Sequence, residues 1–282
     1  MLVTMKELLH EALQSQKAVG GFNVGNMEMV AGAIRAAETM DTPVILQIAE
    51  KRLQASPLNL MAPMMVQAAK DAKVKVAVHL DHGLSVEVIK QALDFGFSSV
   101  MFDGSEYSLK ENIERTKEIK ALAGQYGASL EAELGAVGGN EGNGEKAVSY
   151  TNPEDAELYF KEVGMDALAV AIGNAHGHYT SVPQLRFDVL EEIHKRVPVP
   201  LVLHGGSGIS FEEFRKTIQH GIRKINIATA SFDALTEADK EYLEKNPDGN
   251  YFGLSASGVQ GVFENVKKHI YVFNNEKSLK EL

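Results

Sequence analysis

The chain has 282 residues, 44% hydrophobic and 23% charged, a balance typical of a globular protein with a sizeable core. Its formal net charge of −10 argues against general nucleic-acid binding, and the absence of cysteine excludes disulfides and thiolate chemistry. No apolar run approaches the roughly 18 residues of a membrane span, and the amphipathic start MLVTMKELLHEALQ lacks the layout of a signal peptide, so a cytoplasmic protein is expected.

In chain order, short runs rich in Val, Ile and Ala alternate with longer segments of helical period. The runs cover residues 18–24, 43–49, 74–82, 98–104, 128–135, 167–173, 199–206 and 224–229. Most are continuous apolar stretches, as expected of parallel strands covered on both faces. Between them, Val86, Ile89 and Leu93 share one helical face, with Gly96 where a C-terminal cap belongs. Ser108 with Glu111 reads as a capping box ahead of the stripe Ile113, Ile119 and Leu122. Asn152-Pro153 supplies an N-cap and a first-turn proline, with Gly164 after the helix; Ser210 with Glu213 repeats the capping box before Gly221. Eight strand–helix units in a row predict an α/β fold, a (β/α)8 TIM barrel spanning residues 1–282 as one domain. A doubly wound open sheet is the rival, but the first strand lacks a GxGxxG turn.

A barrel carries its active site at the C-terminal ends of its strands. Those ends offer Asn23, Glu50, Asp81 with His82, Asp103, Glu133, His176 with His178, His204 and Asn226. Three histidines with an open fourth position are the usual arrangement of a catalytic zinc, and His82, His176 and His204 follow strands three, six and seven. His178, two positions on, is an alternative ligand or a solvated residue, while His79 is expected to line the barrel through a hydrogen bond. Strand alternation aims Asp81 away from the direction of its neighbour His82, which suits a proton carrier or a carboxylate that orients an imidazole. Asp103 and Glu133 form either a second metal position or the surroundings of the first.

Two glycine-rich loops complete the set. Residues 203–208, LHGGSG, follow strand seven and lead into a capped helix, where glycines let the backbone close on a ligand and free amides bind anions. Barrels often build a phosphate site there with the loop after strand eight, whose NIAT supplies an amide and a hydroxyl. The loop GGNEGNGE at 138–145 carries carboxylates and reads either as a lid that brings a base to a substrate or as an ordinary surface loop.

These residues together resemble the zinc-dependent class II ketose-bisphosphate aldolases, which include the fructose-1,6- and tagatose-1,6-bisphosphate enzymes. The resemblance covers nearly the whole chain and rests on FNV at 22–24, PVILQ at 43–47, HLDHG at 79–83, SSVMFDGS at 98–105, EAELGAVGG at 131–139, GNAHGHY at 173–179, VLHGGSG at 202–208 and KINIAT at 224–229. It implies a TIM-barrel lyase of carbohydrate metabolism, such as glycolysis, assembled as a homodimer or homotetramer. It further implies reversible cleavage of a phosphorylated ketose to dihydroxyacetone phosphate and an aldehyde such as glyceraldehyde 3-phosphate. By motif, His82, His176 and His204 are the implied zinc ligands, and Asp103 and Glu133 match a second or alternative metal position. Asp81 matches the group that takes the C4 hydroxyl proton, and Glu141 the loop carboxylate that exchanges the C1 proton of dihydroxyacetone phosphate. Gly177, Gly205, Gly206, Ser207, Asn226 and Thr229 match the positions that hold the triose phosphate, several of them near a sodium or potassium ion; Asn23 and Ala228 complete the expected substrate-binding set. Zinc acting as a Lewis acid would stabilise the enediolate charge without a Schiff-base lysine.

The chain departs from the bisphosphate pattern at the distal half. Strand two ends in Ala49-Glu50 where a serine is common, and the late segment 246–251, NPDGNY, lacks the usual arginine; Lys51 or Arg52 is the candidate replacement, and Ala228 resembles the tagatose-type branch. A different phosphorylated ketose or a deoxy sugar acid, a metal-dependent barrel hydrolase, and a non-catalytic partner subunit are the alternative readings.

Overall fold

The apolar runs form eight strands because each side of each strand is covered, and the strands close on one another. In a computed structural model that describes residues 1–140, 145–146, 149–179 and 183–275, these are β1 (Val19–Asn23), β2 (Val44–Ala49), β3 (Val76–Gly83), β4 (Ser99–Phe102), β5 (Ser129–Leu134), β6 (Ala167–Val170), β7 (Leu201–Leu203) and β8 (Ile222–Ile227). Every neighbouring pair is parallel, and β1 pairs with both β2 and β8, so the sheet is a closed barrel. Helices follow the strands: α2 (Met27–Thr39), α3 (Leu58–Asp71), α4 (Val86–Asp94), α5 (Leu109–Gln125), α6 (Pro153–Val163), α7 (Phe187–Arg196), α8 (Phe211–Gln219), α9 (Thr229–Lys245) and α10 (Tyr251–Phe273). This is the expected (β/α)8 architecture.

Alternation sorts the strand residues into two sets. Outward residues such as Val44, Leu46, Val78, Leu80, Leu168 and Ile225 join the large core beneath the helices. Inward residues change character along the barrel axis. At the N-terminal end Val19, Ile45, Ala77, Ala167, Ala169 and Val202 meet Met5, Leu8, Leu9 and Ala12 of α1 (Met5–Ser15), a helix that plugs this end. Nearer the C-terminal end the inward set turns polar, with Gln47, His79, Ser99, Glu131, Glu133, Lys224 and Asn226 all buried. Register aligns Asn23 with Gln47, Gln47 with His79, and His79 with Ser99, which stacks these groups in adjacent strands.

Several boundaries differ from expectation for local reasons. Strand β8 begins at Ile222, two residues early, because Ile222 already pairs with Leu201. Strand β6 ends at Val170 because side chains then take over its backbone: Ala171 N–H donates to Thr151 Oγ1 (2.8 Å) and Ile172 N–H to Asn174 Oδ1 (2.8 Å). Ser210 and Glu213 form a full capping box. At α5 only half of one exists: Ser108 accepts from Glu111 N–H, but the Glu111 carboxylate is taken by Arg115. Gly96 (φ +91°) and Gly164 (φ +64°) end their helices in the left-handed region, as their sequence positions imply.

The plug generates a stability prediction. Leu9 is fully buried at the end of the barrel remote from the strand C-termini, so Leu9→Ala should cost about 2–5 kcal/mol. Urea unfolding should show the loss, with metal affinity of the folded protein unchanged.

Candidate active site

The site is organised by an irregularity in β3. Leu80 pairs with Val100, yet the next pair is Gly83 with Phe102, so β3 carries one more residue than β4 over this stretch, a β-bulge. His82 adopts φ +43° there, a conformation costly for a residue with a Cβ and held only when its surroundings dictate it. Simple alternation would place Asp81 and His82 on opposite faces. The bulge instead turns both into the barrel mouth, where they are 3% and 2% exposed. Gly83 follows because a Cβ there would lie 2.4 Å from the Met101 carbonyl oxygen.

His82, His176 and His204 converge at this mouth. His82 Nε2 lies 3.2 Å from His176 Nε2 and 2.8 Å from His204 Nδ1. The opposite ring nitrogens are engaged: His82 Nδ1 with Asp103 Oδ2 at 2.9 Å, His204 Nε2 with Glu131 Oε1 at 2.8 Å. Carboxylates accept protons from those nitrogens, leaving His82 Nε2 and His204 Nδ1 with lone pairs aimed at each other. Two such lone pairs require positive charge between them. Ligand nitrogens around a tetrahedral ion at about 2.0–2.1 Å stand about 3.3 Å apart, so the three imidazoles fit one metal ion. The surrounding carboxylates favour positive charge at this point: burial works against the His82 imidazolium, but Asp81, Asp103 and Glu133 outweigh it and raise its pKa to about 10, so a proton on Nε2 supplies that charge when no metal ion does. Burial lowers the His204 pKa, favouring a neutral ligand. His82 also belongs to a second group with Asp103 and Glu133, whose ligand atoms lie within 4.8 Å of one another.

Asp81 sits beside the imidazoles with both oxygens held. Asn23 Nδ2 donates to Oδ2 (2.9 Å) and Asn226 Nδ2 to Oδ1 (3.0 Å). Burial favours its neutral form, but His82, His204 and Lys224 prevail and its pKa is lowered. It is therefore a carboxylate able to accept a proton.

Next to Asp81 lies a narrow cleft lined by Asn23, Asp81, His176, Gly177, Gly205, Ser207, Asn226, Ala228 and Thr229. The N-terminus of α9 opens onto it at Thr229, where the positive end of the helix favours an anion; the next amide, Ala230 N–H, donates to Ser207 Oγ (2.9 Å) and ties this end to the loop after β7. Gly205 (φ +64°) is obligatory, since a Cβ would come within 2.1 Å of the Ala175 carbonyl oxygen. Gly206 does not line the cleft; its N–H donates to the Asn226 carbonyl and holds the loop against β8. Glu50 also stands apart, because its carboxylate accepts from Leu84 N–H, Ser85 N–H and Ser85 Oγ at the start of α4. His178 is solvent-facing, 3.6 Å from Asp233, while His79 lines the barrel beside Ser99 Oγ (2.6 Å). Glu141 lies outside the described residues.

A family model described as fructose-bisphosphate aldolase class-II matches residues 3–278. The chain belongs to the class II aldolase family. The aldolase is 41% identical over 254 residues to the fructose-bisphosphate aldolase of Geobacillus stearothermophilus, with 88% of each chain covered. It is 39% identical over 277 residues to a 6-phospho-5-dehydro-2-deoxy-D-gluconate aldolase of Bacillus licheniformis, covering 97% of this chain and 95% of that one. The crystal structure of the YdjI aldolase from Escherichia coli K12 superposes with a TM-score of 0.87 at 36% identity, covering 97% of both chains. Members of this family are metal-dependent carbon–carbon lyases.

The aldolase uses residues that the sequence reading left without roles. Glu131 and Lys224 form a fully buried ion pair at 2.9 Å. Their signal was positional: each is charged, lies two residues before a site residue, Glu133 or Asn226, and therefore shares its inward face. Tyr179 Oη accepts from Ala175 N–H and donates to the Gly205 carbonyl, both at 2.9 Å, clamping together the two loops that carry Gly177 and Gly205. Because His82 serves both metal-type groups, His82→Ala should lower metal affinity by more than about a hundredfold. His176→Ala leaves the His82–Asp103–Glu133 group and should retain weaker binding; calorimetric titration with zinc or cobalt distinguishes the two.

Proposed function

We propose that the aldolase is a zinc enzyme that reversibly cleaves a phosphorylated ketose to dihydroxyacetone phosphate and an aldehyde. The observation that carries this reading is the adjacency of an ionised, doubly held Asp81 to three converging imidazoles and to a cleft at the N-terminus of α9. In the cleavage direction the Asp81 carboxylate takes the C4 hydroxyl proton, C4 becomes the carbonyl carbon of the departing aldehyde, and the C3–C4 electron pair passes toward the C2 carbonyl. Asn23 and Asn226 keep the Asp81 oxygens fixed for that transfer. Gly177, Gly205, Ser207 and the α9 N-terminus at Thr229 hold the phosphate of the triose half. Zinc held by His82, His176 and His204 would supply the Lewis acid that draws charge from the ketose oxygens. Glu141 is assigned the proton at the triose carbon. A second divalent ion at His82–Asp103–Glu133, a monovalent cation near the phosphate, a homodimeric or homotetrameric assembly and a cytoplasmic location belong to the same reading. For the location there is one supporting fact, that no helix among the described residues is long and apolar enough to cross a membrane.

The distal half of the substrate is read more broadly. Lys51 and Arg52 follow β2 in a short 3-10 turn, and the Arg52 guanidinium lies 5.7 Å over the Phe232 ring at the start of α9. These cationic residues after β2 support a distal contact made without a dedicated late arginine. Relatives named for fructose bisphosphate and for a deoxy sugar acid phosphate make both substrate classes candidates. A coupled assay for triose product across fructose 1,6-bisphosphate, tagatose 1,6-bisphosphate, ketose 1-phosphates and 6-phospho-5-dehydro-2-deoxy-D-gluconate tests the choice; no turnover with any of them would overturn the reading. Asp81→Asn should keep its metal and lose kcat by about 10²–10⁴. Complete chelation should abolish activity and added zinc or cobalt restore it.

A further inference from the structure

Beneath the site, a buried chain of polar contacts runs between its two halves. Lys224 is fully buried, with Nζ 2.9 Å from Glu131 Oε2 and 2.7 Å from Asn226 Oδ1. An ammonium has donors and no acceptor, so it compels Asn226 to present its oxygen downward and its amide nitrogen to Asp81 Oδ1, 3.0 Å away. Reversing that amide would set NH2 against ammonium and oxygen against carboxylate. The other carboxylate oxygen, Glu131 Oε1, takes the His204 Nε2 proton at 2.8 Å and leaves Nδ1 facing His82. We infer that the Lys224–Glu131 pair positions both the metal-holding His204 and the proton-carrying Asp81, coupling the two halves of the site through one buried contact.

A purely structural role explains less. Buried ion pairs can often be replaced by packed apolar pairs without loss of stability. Neighbouring inward positions Ala77, Ala169 and Val202 are small or branched apolar residues, so packing alone does not call for charge here. What the pair supplies is direction: one end fixes the His204 tautomer, the other fixes an amide whose far side holds Asp81. Gln47 does the same for the second amide, donating to Asn23 Oδ1 at 2.8 Å so that Asn23 Nδ2 faces Asp81 Oδ2. Only the Lys224–Glu131 arm reaches a metal-site histidine as well.

The inference rests on the aldol reading, and the test separates them. The double variant Lys224→Met/Glu131→Gln removes both charges together and avoids a lone buried ion. Relative to the wild-type holoenzyme, the zinc dissociation constant should rise about 10–100-fold. With zinc saturating, kcat should remain about a hundredfold low while KM changes less than about threefold, at a melting temperature within a few degrees. Full recovery of kcat at saturating zinc, or unchanged zinc affinity, overturns the coupling. Should the double variant not fold, the wild-type chain labelled with 15N-histidine and loaded with cadmium decides: His204, assigned through His204→Gln, must bind through Nδ1 with its proton on Nε2, and the opposite tautomer overturns the inference. A wild-type holoenzyme that binds zinc but cleaves no ketose phosphate overturns the aldol reading and this inference together.

Discussion

A closed parallel barrel leaves no strand face open to water, so every polar side chain aimed at its axis must find a partner on another strand. That constraint shapes the aldolase more than any single catalytic group. The inward layer holding Gln47, His79, Ser99, Glu131 and Lys224 is buried, and its contacts cross strands: Gln47 donates to Asn23 of β1, His79 meets Ser99 of β4, and Glu131 pairs with Lys224 of β8. The mouth above inherits that order. Asp81 receives amides from β1 and β8, His82 a carboxylate from the end of β4, and His204 a carboxylate from β5. Asp81, His82 and His204 are thereby each held from a strand other than their own, which fixes donor directions before a substrate arrives.

The β3 bulge shows how one backbone defect enlarges what a strand can offer. A regular strand end gives one inward side chain per two residues. By spending an extra residue between Leu80 and Gly83, β3 gives two consecutive ones, a carboxylate and an imidazole. The cost is His82 in a left-handed conformation, the kind of strain that concentrates at functional positions. Gly83 follows from the same geometry, because the chain must pass close to the Met101 carbonyl on leaving the bulge.

Much of this was legible in the residues. The eight apolar runs fall on the eight strands, since continuous Val, Ile and Ala segments suit only strands covered on both sides. The histidine convergence followed from strand order alone. The common face of Asp81 and His82 was not legible, because a bulge depends on the register with β4 and not on local propensity. Glu50 misled for the opposite reason: it stands at a strand end like the others, yet the backbone amides starting α4 claim its carboxylate. Lys224 and Glu131 were visible as charges in apolar strands, but their pairing needs the closure of the barrel to bring β5 and β8 to one layer. At Ser108 the capping signal was half right, because Arg115 one turn on competes for Glu111.

The α1 plug has a kinetic meaning. Met5, Leu8 and Leu9 are fully buried at the N-terminal end of the barrel, so among the described residues the site is closed from below and faces solvent at the strand C-termini. On the proposed reading, a ketose seated over the imidazoles would stand between an ion below it and the solvent. Ion and substrate would then share that mouth, and the residence time of the ion would depend on how fully sugar phosphate occupies it.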